Sequence, residues 1–95
     1  MKDNFIFIIN PISGKGKGKM IQKDIENYFS AKNINIEIHF TKYNNHATKL
    51  TKEALNKKPS VIVACGGDGT INEVAQVLVG TDIILGIIPI GSGNG

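Results

Sequence analysis

A chain of 95 residues, 41% apolar and 20% charged, has room for one domain around one core, and that composition suits neither a disordered segment nor a membrane span. Its longest apolar stretch, Ile83 to Ile90, is interrupted by Gly86 and Pro89 and falls far short of the ~20 residues that cross a bilayer. The net charge of +3 matters less than the position of Lys15, Lys17 and Lys19, which alternate with Gly14, Gly16 and Gly18. With no arginine in the cluster and few aromatic residues near it, this arrangement argues against a nucleic-acid groove and for a compact anion such as a nucleotide phosphate.

Phe5 to Ile9 is a short continuous apolar run, the pattern of a strand buried on both faces of a parallel sheet. It stops at Asn10-Pro11 without a small-residue cleavage site, so a secretory signal is not indicated. Met20, Ile21, Ile25, Tyr28 and Phe29 then recur at helical spacing. Ile34, Ile36, Ile38 and Phe40 alternate with Asn35, Glu37 and His39, which predicts a second strand apolar on one face and placed at a sheet edge. Ala47, Leu50, Ala54 and Leu55 form the second helical pattern. Val61 to Ala64 is the third strand, and Ile71, Val74, Ala75, Leu78 and Val79 form the third helix. Ile83 to Ile88 is the fourth strand, apolar on both faces, so it is expected to have a neighbour rather than to be an exposed edge. The expectation is that residues 1–95 are the front part of a longer protein whose remainder continues the sheet. Cys65, the single cysteine, cannot form an internal disulfide; it reads as a small core residue in a protein of the reducing cytoplasm.

The order is βαβαβαβ, which predicts an open parallel α/β sheet with right-handed crossovers and helices on both faces. The strand order expected is 2-1-3-4, with the direction reversing between strands one and three. All the glycine-rich or polar stretches then fall at one edge, the carboxyl ends of the strands: "NPISGKGKGK", "TKYNNHAT", "GGDGT" and "GSGNG". Ligands of open α/β sheets bind at that edge, where helix N-termini present free N–H groups. Neither common phosphate fingerprint is met. The residue five after Gly14 is Lys19, which breaks G-x-x-x-x-G-K-[ST], and Lys19 also occupies the third glycine position of G-x-G-x-x-G.

"GGDGTINEVA", with "NPISGKGKG" before it and "PIGSGNG" after it, resembles the catalytic-domain family of diacylglycerol kinases, sphingosine kinases and related bacterial lipid kinases. The resemblance runs from Asn10 to Asn94 and implies an N-terminal ATP-binding α/β domain followed by a β-rich domain that completes a lipid site. It implies that Asn10, Pro11, Ile12, Ser13, Gly14 and Lys15, and Gly66, Gly67, Asp68, Gly69, Thr70, Ile71, Asn72 and Glu73, surround the ATP phosphates. Thr41 matches a threonine near the nucleotide, and Ser92 stands where the family usually has threonine. The family commonly has Asn-Asp where this chain has Asn94-Gly95, so an acid often assigned to metal or phosphate chemistry is absent there.

An acid among glycines at a phosphate site is unfavourable unless a cation intervenes. Asp68 is therefore expected to act as a ligand of Mg²⁺, direct or through water, or as the base that takes the lipid hydroxyl's proton. Thr70 is expected to begin the third helix, and Glu73, three residues on, either completes a capping box or joins a metal network. His39 and His46 have no neighbours suited to a zinc site and read as surface residues. The partners implied are ATP and a lipid acceptor, with peripheral contact at the inner membrane face through the rest of the protein and no nucleic acid; residues 1–95 alone are not expected to transfer phosphate. Two alternatives are an enzyme like NAD kinase, which shares a G-G-D-G loop, and a nucleotide-binding module without catalysis.

Overall fold

A computed structural model describes residues 3–91. Strand β1 (Asp3–Ile9) is central because both of its faces are apolar: Ile6, Phe7, Ile8 and Ile9 are all buried. It pairs in parallel with β2 (Ile34–Phe40) on one side and β3 (Val61–Gly66) on the other, and β3 pairs in parallel with β4 (Ile84–Pro89). The order is β2-β1-β3-β4, as the sequence predicts, with the half-polar β2 at one edge. Register places Phe7 between Ile38 and Val63, and Ile8 between His39 and Ala64.

Three helices connect the strands: α1 (Ile21–Phe29), α2 (His46–Leu55) and α3 (Asp68–Leu78). The path moves outward from β1 to β2, then back across β1 to β3. With right-handed crossovers, that reversal puts the helices on opposite faces of the sheet. Ile25 of α1 packs with Phe7, Ile9, Val63 and Cys65 on one face. Ala47 and Ala54 of α2 and Val74 and Leu78 of α3 pack with Ile6, Ile8, Ile62 and Ala64 on the other. Phe29 anchors α1 through ring contacts to Phe5 and Phe7, each at 5.6 Å between centroids. Thr51, fully buried in α2, stays satisfied because its hydroxyl donates to the Ala47 carbonyl at 2.7 Å.

Three residues of the predicted helical stripes lie outside the core. Met20 sits in a single 3₁₀ turn (Lys17–Met20) ahead of α1 and is exposed. Tyr28 lies on the outer side of α1, edge-on to Phe29 and under the Lys32 ammonium. Val79 follows the last turn of α3, where the backbone turns extended, and is 80% exposed. On β4, Ile84 and Ile87 are exposed, and among the described residues that strand pairs with β3 alone. No helix among the described residues is long and apolar enough to cross a membrane.

Candidate functional site

The loops after β1 and β3 leave the sheet toward opposite faces, and the gap between them is the switch point where the sheet can admit a ligand. Short hydrogen bonds tie the loops to the strand ends. The Asn10 amide donates to the Cys65 carbonyl at 2.9 Å, and the Thr41 amide donates to the Ile9 carbonyl at 2.8 Å. The Asn10 side-chain Oδ1 accepts from the Ile12 amide at 3.1 Å, an Asx turn that bends the chain as it leaves the strand. Helix α3 starts straight from β3 through Gly67, which offers no side-chain cap. The first backbone bond of the helix runs from the Ile71 amide to the Gly67 carbonyl at 3.1 Å. The amides of Asp68, Gly69 and Thr70 therefore have no partner inside the helix and form an electropositive turn.

Beside that turn is a cleft of about 610 Å³. Asn10, Pro11 and Ile12 line one side, Thr41, Lys42, Tyr43, Asn44 and Ala47 a second, and Gly69, Thr70 and Glu73 the third. Seven of the sequence-derived site residues thus share one cavity. At Gly66, the last residue of β3, an added Cβ would sit 2.9 Å from the hydroxyl oxygen of the cleft residue Thr70 and 3.1 Å from that of Ser13, so two hydroxyls converge there. Asp68, Ile71 and Asn72 border a shallower groove that shares Gly69 with the cleft. Asp68 is exposed, as are Lys15, Lys17 and Lys19. Ser92 and Asn94 lie outside the described residues.

The glycines divide into two kinds. Gly14 has φ +61°, and a Cβ there would come within 2.5 Å of the Gly91 carbonyl oxygen; at Gly18 it would overlap the Asn10 carbonyl. Those two are required by the fold. Gly67 has an ordinary φ of −87°, Gly69 is helical, and a Cβ at either would meet nothing within 4 Å. Nothing within the described residues needs glycine at those two positions.

One sequence expectation changes. Thr70 is the third residue of α3 rather than its start, because the helix begins two residues earlier at Asp68, so no capping box forms with Glu73. The Glu73 carboxylate instead reaches across to α2, accepting from the Thr48 amide at 3.1 Å and the Thr48 hydroxyl at 3.3 Å. The lysine-bearing loop is held by backbone contacts: the Lys19 amide donates to the Pro11 carbonyl at 3.0 Å, and Lys15 holds a left-handed backbone at φ +60°. His39 pairs with Glu37, which also binds Lys57 at 2.6 Å and whose carboxyl is held below its usual range chiefly by that lysine. His46 stacks on Tyr43 with ring centroids 4.2 Å apart, its Nδ1 accepting from the Lys42 amide. Cys65 is buried, and desolvation pushes its thiol up to about 12, so it is an inert core residue as expected.

Among the described residues no three His, Cys, Asp or Glu side chains gather as a metal cage. The carboxylate in the first turn of α3 is Asp68. One carboxylate is a fitting donor set for a Mg²⁺ that takes most of its remaining ligands from substrate phosphates and water.

A family profile describing the diacylglycerol kinase catalytic domain matches residues 4–95. The chain belongs to that family. It is 37% identical over 89 residues to a diacylglycerol kinase of Bacillus subtilis, covering 92% of this chain and 29% of that protein. It is 33% identical over 98 residues to sphingosine kinase 1 of Arabidopsis thaliana, covering 95% of this chain and 20% of that protein. A crystal structure of a diacylglycerol kinase from Bacillus anthracis superposes with a TM-score of 0.74 at 30% identity, over 98% of this chain and 34% of the other. The chain thus spans about a third or less of the proteins it matches.

In this member of the diacylglycerol kinase family, sequence reasoning singled out Thr41 from the second loop and passed over its neighbours. Tyr43, Asn44 and Ala47 share the cleft, and Thr48 holds Glu73. The available signal was Asn44-Asn45 just ahead of a helical pattern: Asn45 takes φ +70°, a conformation asparagine tolerates better than most residues, and it turns the chain into α2.

Proposed function

We propose that this chain is the ATP-binding part of a lipid kinase of the diacylglycerol or sphingoid-base type, transferring the γ-phosphoryl group to a lipid hydroxyl. The observation that carries this reading is the open space at Gly67 and Gly69 beside three unpartnered amides. Glycine inside a helix, as at Gly69, costs up to about 1 kcal/mol relative to alanine, whereas Gly67 stands at the N-cap, which glycine suits; the described fold derives no packing from either. A phosphate chain lying close against the backbone accounts for both the missing side chains and the free donors.

In this reading the amides of Asp68, Gly69 and Thr70 and the hydroxyls of Ser13 and Thr70 hold phosphate oxygens. Asn10 through Lys15 wall the phosphates on the other side, and Thr41 faces the nucleoside end of the cleft. Mg²⁺, when bound with ATP, neutralises phosphate charge, with Asp68 as its protein carboxylate. Asp68 alternatively serves as the base: the lipid hydroxyl oxygen bonds to the γ-phosphorus, its proton passes to the Asp68 carboxylate, and ADP leaves. Gly66, Ile71 and Asn72 shape the turn that carries Asp68. The acceptor lipid is bound by parts of the protein beyond these 95 residues, at the inner face of the membrane, so the 95-residue piece binds ATP without phosphorylating lipid.

The test is Asp68→Asn in the full-length protein, with ATP binding and lipid phosphorylation measured on the same sample. Turnover is expected to fall about 10²- to 10⁴-fold, with the melting temperature hardly moved and Mg²⁺-free ATP bound equally well or better. Near-normal turnover would reduce Asp68 to a turn residue and remove the enzymatic reading of the loop.

A further inference from the structure

We propose that Glu73 is a positioning residue that sets the width of the cleft by capping α2 from the neighbouring helix. Helix α2 begins poorly by its own means. Asn45, at its N-cap, has a left-handed backbone and makes no side-chain cap, and there is no acid in the first turn. The third helical amide, the one an N-cap side chain ordinarily satisfies, belongs to Thr48. Glu73 Oε1 accepts from that amide at 3.1 Å and from the Thr48 hydroxyl at 3.3 Å. A carboxylate at a helix N-terminus is also favoured by the helix dipole. Glu73 therefore does for α2 what the residues preceding α2 do not.

The consequence lies in what the bond connects. Glu73 follows Gly69 by four residues and Thr70 by three, so on α3 it shares their face and with them forms one wall of the cleft. Thr48 stands on the helix that continues the opposite wall, the loop bearing Thr41 and Tyr43. The contacts between α2 and α3 otherwise include small and aliphatic side chains such as Ala47 and Val74, which give adhesion but little directional constraint. Two hydrogen bonds to one carboxylate oxygen add direction, holding the second loop at a set distance from the turn that carries Asp68. The same bonds engage the Glu73 carboxylate within the protein, which favours a positioning role over that of a metal ligand.

The inference rests on the nucleotide reading of the cleft, and its test separates the two. In the full-length protein, Glu73→Ala is expected to weaken ATP and ADP about tenfold, equally with and without Mg²⁺, as loss of a half-buried charge-assisted hydrogen bond would. Glu73→Gln, whose amide oxygen accepts the same two bonds, is expected to restore the affinity to within about threefold of wild type. Hydrogen exchange at the Thr48 amide should quicken in Glu73→Ala and stay slow in Glu73→Gln. Thr48→Val, which deletes only the hydroxyl bond, gives a smaller loss and serves if Glu73→Ala does not fold. A Glu73→Gln defect as deep as that of alanine and confined to Mg²⁺-loaded nucleotide would make Glu73 a metal ligand. A lower melting temperature with unchanged affinity well below it would make it a stabilising contact only. Either result overturns the proposal. Failure of the wild type to bind ATP overturns the nucleotide reading, and control of a nucleotide cleft with it, while exchange at Thr48 still reads the clamp itself.

Discussion

In the turn after β1, a side chain at Gly14 or Gly18 would run into the backbone oxygens of Gly91 and Asn10, whereas in the turn after β3 a side chain at Gly67 or Gly69 would meet nothing within 4 Å. Both turns are glycine-rich and both sit at the switch point. The first uses glycine to let the chain pack against itself, binding the β1 loop to the end of β4. The second has glycine where the described fold makes no demand for it, which is the signature expected where something other than the protein occupies the space. Glycine content alone does not mark a binding loop. What distinguishes the two is whether the protein already fills the space a Cβ would take.

That contrast can be broken by substitution. Gly18→Ala carries the largest expected effect: overlap with the Asn10 carbonyl forces the backbone to shift, costing about 1–3 kcal/mol, visible as a clear drop in melting temperature. A variant as stable as wild type would show that the first loop can relax and is not packed as described. Gly69→Ala should do the reverse. Its helical backbone accepts alanine, so stability should rise by about 0.5–1 kcal/mol, while ATP binding weakens by about tenfold because the methyl group occupies phosphate space. Calorimetric binding and thermal melting on one preparation decide it. Loss of both stability and affinity, or gain of both, would erase the distinction between the loops.

The smallest effect concerns charge. Replacing Lys15, Lys17 and Lys19 by glutamine should weaken ATP about two- to fivefold at low salt and have little effect at high salt, since exposed charges are screened over ~10 Å at 0.1 M. An affinity unchanged at low salt would assign the first loop a purely structural part.

The strand order, the placement of β2 at the edge and the family were legible in the sequence because each rests on local pattern. Alternation along Ile34 to Phe40 requires one wet face, and a motif such as "GGDGTINEVA" keeps its spacing whatever surrounds it. Cys65 was equally legible: a small residue at the end of a β-branched run is buried because the run is. The helix ends were less so. Thr70 looked like a cap because Thr-x-x-Glu fits a capping box, yet the tight exit from β3 starts α3 at Asp68 and leaves Glu73 free to turn elsewhere.

Periodicity and composition by themselves determined that this chain is a parallel α/β unit with its glycine-rich loops at one edge, since burial on both faces and chain reversal depend on residues near one another in sequence. The partner of Glu73, 25 positions away at Thr48, was decided only by the tertiary structure. So was the difference between Gly14 and Gly69, because the volume around a missing Cβ is set by segments distant along the chain. The crossover from β2 back over β1 brings α2 beside α3, and that packing alone determines which carboxylate binds the protein and which stays exposed to solvent.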